Sequence, residues 1–259
     1  MEKLLLSEIA HCLNAECPEE KVITEISTDT RNLPAGCLFI AIKGERFDGH
    51  AFIKQAIENG AAAAVSEYPV DGCPCIVVKN TRTALLKLAK YYRSKFNPVL
   101  VGITGSVGKT TTKEMIALVL SEKYKTLKTQ GNLNNEIGLP KTLFNLDSSY
   151  QAAVIEMGMS DFGEIERLSN TAVPTIGVIT NIGFSHIENL KSQEGILKAK
   201  LEILSGMKSD APLIVNGDDR YLAPLKEEFK SSRSVYLYGI GDKCDFRAKN
   251  IIEENGITR

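Results

Sequence analysis

Val99-Leu-Val-Gly-Ile-Thr-Gly-Ser-Val-Gly-Lys-Thr-Thr-Thr112 decides how this chain is read. An apolar, β-branched run leads into a glycine-framed Lys109-Thr110, and residues 111–120 read as a helix. Strand, loop, helix is the order in which successive backbone N–H groups face one concavity and cradle phosphates. Lys109 can reach terminal phosphates, and the Thr110 hydroxyl is placed to ligate Mg²⁺. The usual loop of this kind has a glycine where Ile103 stands. The shorter Gly105-Ser106-Val107-Gly108-Lys109-Thr110, with Thr104 ahead of it, therefore reads as a variant nucleoside triphosphate site.

Outward from this loop the text is that of a parallel sheet wound with helices. Strands are expected at 99–104, 152–157, 175–180 and 213–216, separated by helical stretches. Open sheets of this kind bind ligands at the carboxyl ends of their strands. There stand the phosphate loop, Glu156, Asn181 and Asn216-Gly-Asp-Asp219. Glu156 follows an apolar run, where an acid can hold Mg²⁺ directly or through water. A solvated strand-end acid is the competing reading, and the place next to the loop favours the metal. His186 follows the next strand; it can ligate a divalent ion, contact phosphate or be structural, and position alone leaves these equal. Lys200 falls between apolar neighbours on a helix beginning near Gln193. It suits an altered pKa or a modification, although a lysine reaching back to the surface is the commoner case.

The segment 130–140, Gln-Gly-Asn-Leu-Asn-Asn-Glu-Ile-Gly-Leu-Pro, carries amides suited to hydroxyls and phosphates, and equally suits a loop and helix cap. Residues 1–96 read as a small α/β unit: helices at 6–14, 50–59 and 81–96, with strands at 22–28, 37–43, 61–65 and 75–78. Gly60 stands where a C-terminal cap belongs, and Thr81 can cap the third helix. In this unit Ser27-Thr-Asp-Thr-Arg31 and Lys43-Gly-Glu-Arg-Phe-Asp-Gly-His50 follow apolar strands. Their hydroxyls, cations and glycines can hold a nucleotide-sugar diphosphate, and equally make polar surface loops. Asn97-Pro98 breaks the pattern and sets the expected division into domains at 1–97 and 98–259. Residues 245–252 and 256–259 read as strands of a hairpin just begun.

Composition excludes several classes. At 259 residues with 43% hydrophobic content the chain can fill two cores. Its net charge of −1 gives no general affinity for nucleic acid or anionic membrane. No window approaches the roughly 18 apolar residues of a membrane span, and the start does not read as a signal peptide. Six scattered cysteines, including Cys73-Pro-Cys75, lack zinc-site spacing and read as reduced thiols of a cytoplasmic protein.

Taken together, these segments resemble the Mur ligase family, most closely its MurF type. The resemblance spans essentially the whole chain. Thr104-Gly-Ser-Val-Gly-Lys-Thr110 is how that family writes its phosphate loop. Gly131-Asn-Leu-Asn-Asn-Glu-Ile-Gly-Leu-Pro140 is similar to a segment of the MurF branch, and Glu156-Met-Gly-Met, Thr180-Asn-Ile-Gly…His186 and Ala199-Lys200 match its metal and lysine motifs. Residues 27–31 and 39–50 look like its UDP-sugar domain.

The resemblance implies a small α/β UDP-sugar domain followed by a P-loop domain with a mostly parallel sheet flanked by helices. It implies ATP-dependent amide ligation in peptidoglycan precursor synthesis, through an acyl phosphate, with UDP-N-acetylmuramoyl-tripeptide and D-Ala-D-Ala as substrates. Lys109, His186 and Lys200 would be catalytic. Gly105, Ser106, Val107, Gly108, Lys109, Thr110, Thr111 and Asn181 would hold ATP. Thr110, Glu156, His186 and a carbamylated Lys200 would hold Mg²⁺. Ser27, Thr28, Arg31, Lys43, Gly44, Asp48, His50, Asn132, Asn134 and Asn135 would bind the muramoyl substrate. Members carry a third domain and a longer central one, so a truncated, non-ligating chain is expected, and a monomer. A MurE-type ligase adding the third amino acid is the nearest alternative. A non-catalytic nucleotide-binding module comes next, while a folylpolyglutamate synthetase would lack residues 27–50.

Overall fold

The computed structural model describes every residue except Glu45, Arg46, Asn255, Gly256 and Arg259, so expectations on those five lie outside the described residues. The chain forms two compact units, Met1–Asn97 with Gln130–Gln151, and Pro98–Thr129 with Ala152–Arg259. The expected division at 97/98 assigned residues 130–151 to the second unit; they group with the first. The reason is packing. Leu139, Leu143, Phe144 and Leu146 are buried, and the Gly138–Leu143 helix lies against the Thr81–Ser94 helix. Tyr92 donates to the Leu146 carbonyl at 2.7 Å and meets the Phe144 ring edge-on at 5.7 Å. An apolar face cannot choose its partner by local periodicity.

In the first unit, Ile26–Ser27, Leu38–Ile40, Ala63–Ser66 and Cys75–Val77 form a four-stranded parallel sheet in that order. Cys37, Phe39, Ala41, Ala61 and Ala64 pack with Ile53 and Ala56 of the Ile53–Glu58 helix. That helix begins as a 3₁₀ turn, Gly49–Phe52, capped by Asp48, and ends at Gly60 with φ +100°. There Gly60 N–H reaches the Ile57 carbonyl at 3.0 Å and Ala61 N–H the Ala56 carbonyl at 2.9 Å. This is the paired C-terminal closure that a left-handed glycine permits. Two local expectations change. The stretch 22–28 divides, Val22–Ile23 pairing antiparallel with Leu4–Leu5 while Ile26–Ser27 joins the sheet. Asn80, not Thr81, caps the Thr81–Ser94 helix, its Oδ1 accepting from Thr83 N–H at 2.8 Å.

The second unit is a seven-stranded sheet, parallel throughout. From one edge the order is Phe246–Arg247, Val235–Gly239, Leu213–Asn216, Ile176–Ile179, Val99–Thr104, Ala152–Glu156 and Thr126–Lys128. The chain leaves Val99–Thr104 for the far edge, returns beside it at Ala152–Glu156, then crosses to the other side and works outward. The winding thus reverses at the strand feeding the glycine loop, and the crevice at such a reversal is where open sheets hold ligands. Both faces are covered, so the central strands read as continuous apolar runs. Val101, Ile103, Val154 and Val178 pack with Ala117 of the Lys109–Ser121 helix. Phe246–Arg247 extends the sheet, while the antiparallel pair is Glu253–Glu254 with Ile257–Thr258; the hairpin of 245–252 and 256–259 is corrected to that extent. All six cysteines are free. Among the described residues no helix is long and apolar enough to cross a membrane.

Candidate functional site

The loop after Val99–Thr104 is held by the loop after Ile176–Ile179. Ser106 N–H donates to the Asn181 carbonyl at 3.1 Å, and Val107 N–H to Asn181 Oδ1 at 3.0 Å. Asn181 Nδ2 and Thr180 Oγ1 both donate to the Val107 carbonyl, at 3.1 and 2.7 Å. Gly183 N–H closes the set on Ser106 Oγ at 2.9 Å. The amide of Asn181 and the N–H groups of Ser106 and Val107 are thus engaged in shaping the loop. The first-turn N–H groups of the Lys109–Ser121 helix, at Lys109, Thr110 and Thr111, have no carbonyl within the helix and can serve an anion. They sit behind Gly108, whose φ of +79° turns the chain into the helix. Helix N-termini of this kind attract phosphate through both dipole and free donors.

Lys109 folds back over the loop, Nζ donating to the Gly105 carbonyl at 2.9 Å and the Ser106 carbonyl at 3.4 Å. Burial lowers its pKa, against the pull of the Glu156 carboxylate. Thr110 Oγ1 donates to Glu156 Oε2 at 3.1 Å. Glu156 is buried at the end of its strand, and its N–H is held by Thr129 Oγ1 at 3.0 Å. Lys200 is 2% exposed on the Gln193–Leu201 helix, its amine pushed down to about 7 by burial and then by the charge of Lys109. Lys198, on the same helix, lies exposed over the Phe162 ring.

A hydroxyl and a carboxylate oxygen this close are hard oxygen donors, the kind Mg²⁺ takes while keeping several waters and phosphate oxygens. Thr104 Oγ1 is buried at the strand end below the loop with no hydrogen-bond partner. Both observations fit a metal–nucleotide pair. His186 does not join Glu156 in a ready-made cluster. It is exposed, with φ +65°, ahead of the Ile187–Leu190 turn, and no group of three His, Cys, Asp or Glu able to hold a metal occurs among the described residues. Asp218 and Asp219, expected at the ligand end, are occupied. Asp218 accepts from Ile240 and Gly241 N–H, and Asp219 from Ile182, Tyr221 and Leu222 N–H.

One residue at this centre has no counterpart in the sequence reading. Lys113, one turn beyond Lys109, is fully buried with Nζ 3.8 Å from Glu156 Oε2. Its signal was available: 109, 113 and 117 share one face of the helix, and Ala117 is core.

In the first unit the expected substrate residues from Ser27 to His50 lie at and after the carboxyl ends of the first two strands of the parallel sheet. Ser27 Oγ and Asp29 close a small turn, and Asp29 takes the Arg31 guanidinium as a fork, with distances of 2.6 to 3.2 Å. That pairing holds the Asp29 carboxyl far below its usual range. Arg31 remains 88% exposed on its outer side, and Thr28 is half-buried. Lys43 and Gly44 are exposed, Lys43 forming an antiparallel bridge with Asp48 and Gly44 N–H bonding the Phe47 carbonyl at 2.9 Å.

His50 is different. It is buried and stacked on Tyr68, Nδ1 lies 2.6 Å from Asp48 Oδ1, and Nε2 accepts from Glu67 N–H at 3.1 Å. Both ring nitrogens are in use, so His50 clamps Asp48 to the Glu67 backbone. His50→Ala is expected to lower unfolding free energy by about 2–3 kcal/mol in urea titrations, the range for a buried hydrogen-bonded group left without partners. A loss under about 0.5 kcal/mol would match a surface substitution instead. Asp48 keeps its carboxylate on His50, and its pKa is lowered by the His50 N–H and then the imidazole. Asn135 is likewise occupied, Oδ1 capping the Gly138–Leu143 helix through Ile137 and Gly138 N–H. Asn132 is exposed and Asn134 half-buried in the same loop.

Comparison with known proteins places these features in context. The Mur ligase middle-domain family matches residues 103–258, and the Mur ligase family catalytic domain matches residues 22–93. The UDP-N-acetylmuramoyl-tripeptide–D-alanyl-D-alanine ligase of Bacillus subtilis (strain 168) is 46% identical over 237 residues, covering 90% of this chain and 51% of that protein. The Escherichia coli (strain K12) ligase of the same name is 42% identical over 254 residues, covering 97% and 56%. Among solved structures, MurF from Acinetobacter baumannii superposes with a TM-score of 0.90 at 34% identity, covering 98% of this chain and 56% of that one. MurF ligase from Thermotoga maritima in complex with ADP gives 0.83 at 34% identity, covering 90% and 54%. The chain spans about half the length of the curated relatives it matches.

Proposed function

This chain belongs to the Mur ligase family, and on that footing we propose that it is the nucleotide- and UDP-sugar-binding portion of an ATP-dependent amide ligase joining D-Ala-D-Ala to UDP-N-acetylmuramoyl-tripeptide. One observation carries the reading: a phosphate loop with its own acid, Glu156, and a deeply buried lysine amine, Lys200, near enough to feel the charge of Lys109. A phosphate loop and acid by themselves fit any nucleotide hydrolase. A buried amine near neutrality adds what a carboxylate-activating site requires.

In the proposed reaction, the tripeptide's terminal carboxylate attacks the γ-phosphorus, and the bond to the bridging oxygen of ADP breaks. The amine of D-Ala-D-Ala then attacks the acyl carbon, phosphate leaves, and the amine gives up a proton. Two anions must meet in the first step. The Lys109 ammonium and the helix N-terminus behind it offset that repulsion, and they are in place before substrate arrives. Thr110 and Glu156 would hold Mg²⁺, with His186 and Lys200 serving a second ion; bound there, it neutralises charge on the phosphate oxygens. A neutral Lys200 amine can add to CO₂, releasing a proton and leaving a carbamate whose oxygens suit a metal. At about pH 7 roughly half of this lysine is neutral, against a negligible share for an exposed one. The muramoyl substrate would fall to the first unit's strand-end loops, with Ser27, Thr28, Arg31, Lys43 and Gly44, and to the 130–137 loop, with Asn132 and Asn134.

Calorimetry of this chain with UDP-N-acetylmuramoyl-tripeptide and with the corresponding dipeptide tests the assignment. The tripeptide is expected to bind at least about tenfold more tightly, roughly 1.4 kcal/mol. Equal or reversed preference would assign the chain to the step that adds the third amino acid. Binding of ADP with neither sugar nucleotide would leave a nucleotide-binding module.

A further inference from the structure

The Lys109–Ser121 helix turns one face to the sheet, and on that face the residue after Lys109 by one turn is another lysine. Lys113 is 1% exposed at its side chain, in a position where the next turn places Ala117 in the core. A buried ammonium is costly to desolvate, and an apolar side chain of the same length would serve packing as well or better. Its surroundings are charged in a definite order. Nζ lies 3.3 Å from Glu114 Oε1 and 3.8 Å from Glu156 Oε2. Glu114 is 47% exposed and also pairs with Lys128 on the edge strand. The Glu156 oxygen facing Lys113 is the same Oε2 that accepts the Thr110 hydroxyl. Lysine, glutamate, lysine, glutamate and threonine thus alternate from the sheet edge to the mouth of the phosphate loop.

At 3.8 Å the Lys113–Glu156 contact is an ion pair and not a hydrogen bond. We propose that Lys113 is a positioning residue for the nucleotide site: it holds the Glu156 carboxylate turned toward Thr110, so that a divalent cation arriving with nucleotide meets a pre-set acid. This rests on the reading of Thr110 and Glu156 as the metal–nucleotide pair. Lys113 touches neither nucleotide nor substrate in this scheme and acts only through Glu156.

The sign of its effect separates positioning from simple charge. Removing a nearby cation should strengthen Mg²⁺ binding if only long-range charge matters. If Lys113 positions Glu156, removing it weakens Mg²⁺ binding. The test is ADP binding by calorimetry, with and without Mg²⁺, in the wild-type chain, Lys113→Met and Lys113→Arg. The readout is the factor by which Mg²⁺ tightens ADP. Lys113→Met is expected to reduce that factor at least fivefold, and Lys113→Arg to restore at least half of it. An unchanged or larger factor in Lys113→Met overturns the inference. No ADP binding by the wild-type chain in either condition would instead overturn the site reading beneath it. If Lys113→Met gives no cooperative melt, the comparison moves to the Glu156→Gln background, where the buried cation has lost its charged partner. There Lys113→Met should leave the magnesium factor unchanged, and a further fall shows that Lys113 acts independently of Glu156, against the inference.

Discussion

Gly105→Ala is expected to abolish nucleotide binding, with ADP affinity falling at least about 100-fold, or roughly 2.7 kcal/mol. A Cβ at this position would stand 1.8 Å from Thr180 Oγ1 and 3.1 Å from the Thr180 backbone nitrogen, at φ +152°. Thr180 cannot simply rotate away, because its hydroxyl holds the Val107 carbonyl at 2.7 Å and thereby the loop. Relief of the clash breaks the bond that shapes the phosphate cradle. A stability loss of about 2–4 kcal/mol is expected alongside, in the range of overpacking plus backbone strain. Gly108→Ala supplies the contrast. Its φ of +79° is strained for alanine, yet a Cβ there meets nothing within 4 Å. It should cost about 1–2 kcal/mol of stability, the left-handed penalty alone, and leave more affinity than Gly105→Ala. Equal losses in the two variants would show that backbone conformation, not the close approach to Thr180, governs the loop.

Lys200→Met is expected to stabilise the protein while removing the amine that the proposed chemistry needs. Burial pushes the Lys200 amine down to about 7 from the ordinary 10.5 of a lysine. Between those two pH values the unfolded chain holds the proton that the folded chain has released, so stability rises with pH across that window. The penalty of burying the charge is therefore complete below pH 7 and fades as pH approaches 10.5. Linkage sets its ceiling at about 5 kcal/mol. Urea unfolding should place Lys200→Met above wild type by about 2–4 kcal/mol at pH 6. The gap should shrink to about 1 kcal/mol or less by pH 10. A gap that does not depend on pH would mean that packing, not the buried charge, separates the two proteins. An increase in stability on loss of a reactive group is the usual sign that function, not folding, selects that residue.

The placement of Lys109 at a helix start and Glu156 at a strand end was legible because such elements are written locally. A strand, a glycine turn and a helix start occur within a short stretch of chain, and each leaves its own period or punctuation. The strands Val99–Thr104 and Leu213–Asn216 agree residue for residue with expectation, as buried parallel strands are unbroken apolar runs bounded by turns. The edge strand Thr126–Lys128 and the penultimate strand Val235–Gly239 were not legible, one being short and the other alternating aromatic with apolar residues. Asn181, His50 and Asn135 carry side chains that suit a ligand, and the fold gives them to backbone partners instead. Composition names the groups available in a loop; only the folded chain decides which of them are already satisfied.

The sequence by itself determined that a strand, glycine loop and helix open a parallel α/β unit, that Gly105 and Lys109 belong to that loop and helix start, and that a smaller α/β unit precedes it. Each of those rests on interactions within a few residues, or on a burial pattern that repeats along one element. The tertiary structure alone decided that residues 130–151 pack with the first unit, that Asn181 shapes the loop, and that Lys113 faces the same glutamate oxygen as Thr110. Those depend on which distant element covers a face, and that is settled by apolar burial and by pairing of buried charge, neither of which has a sequence period.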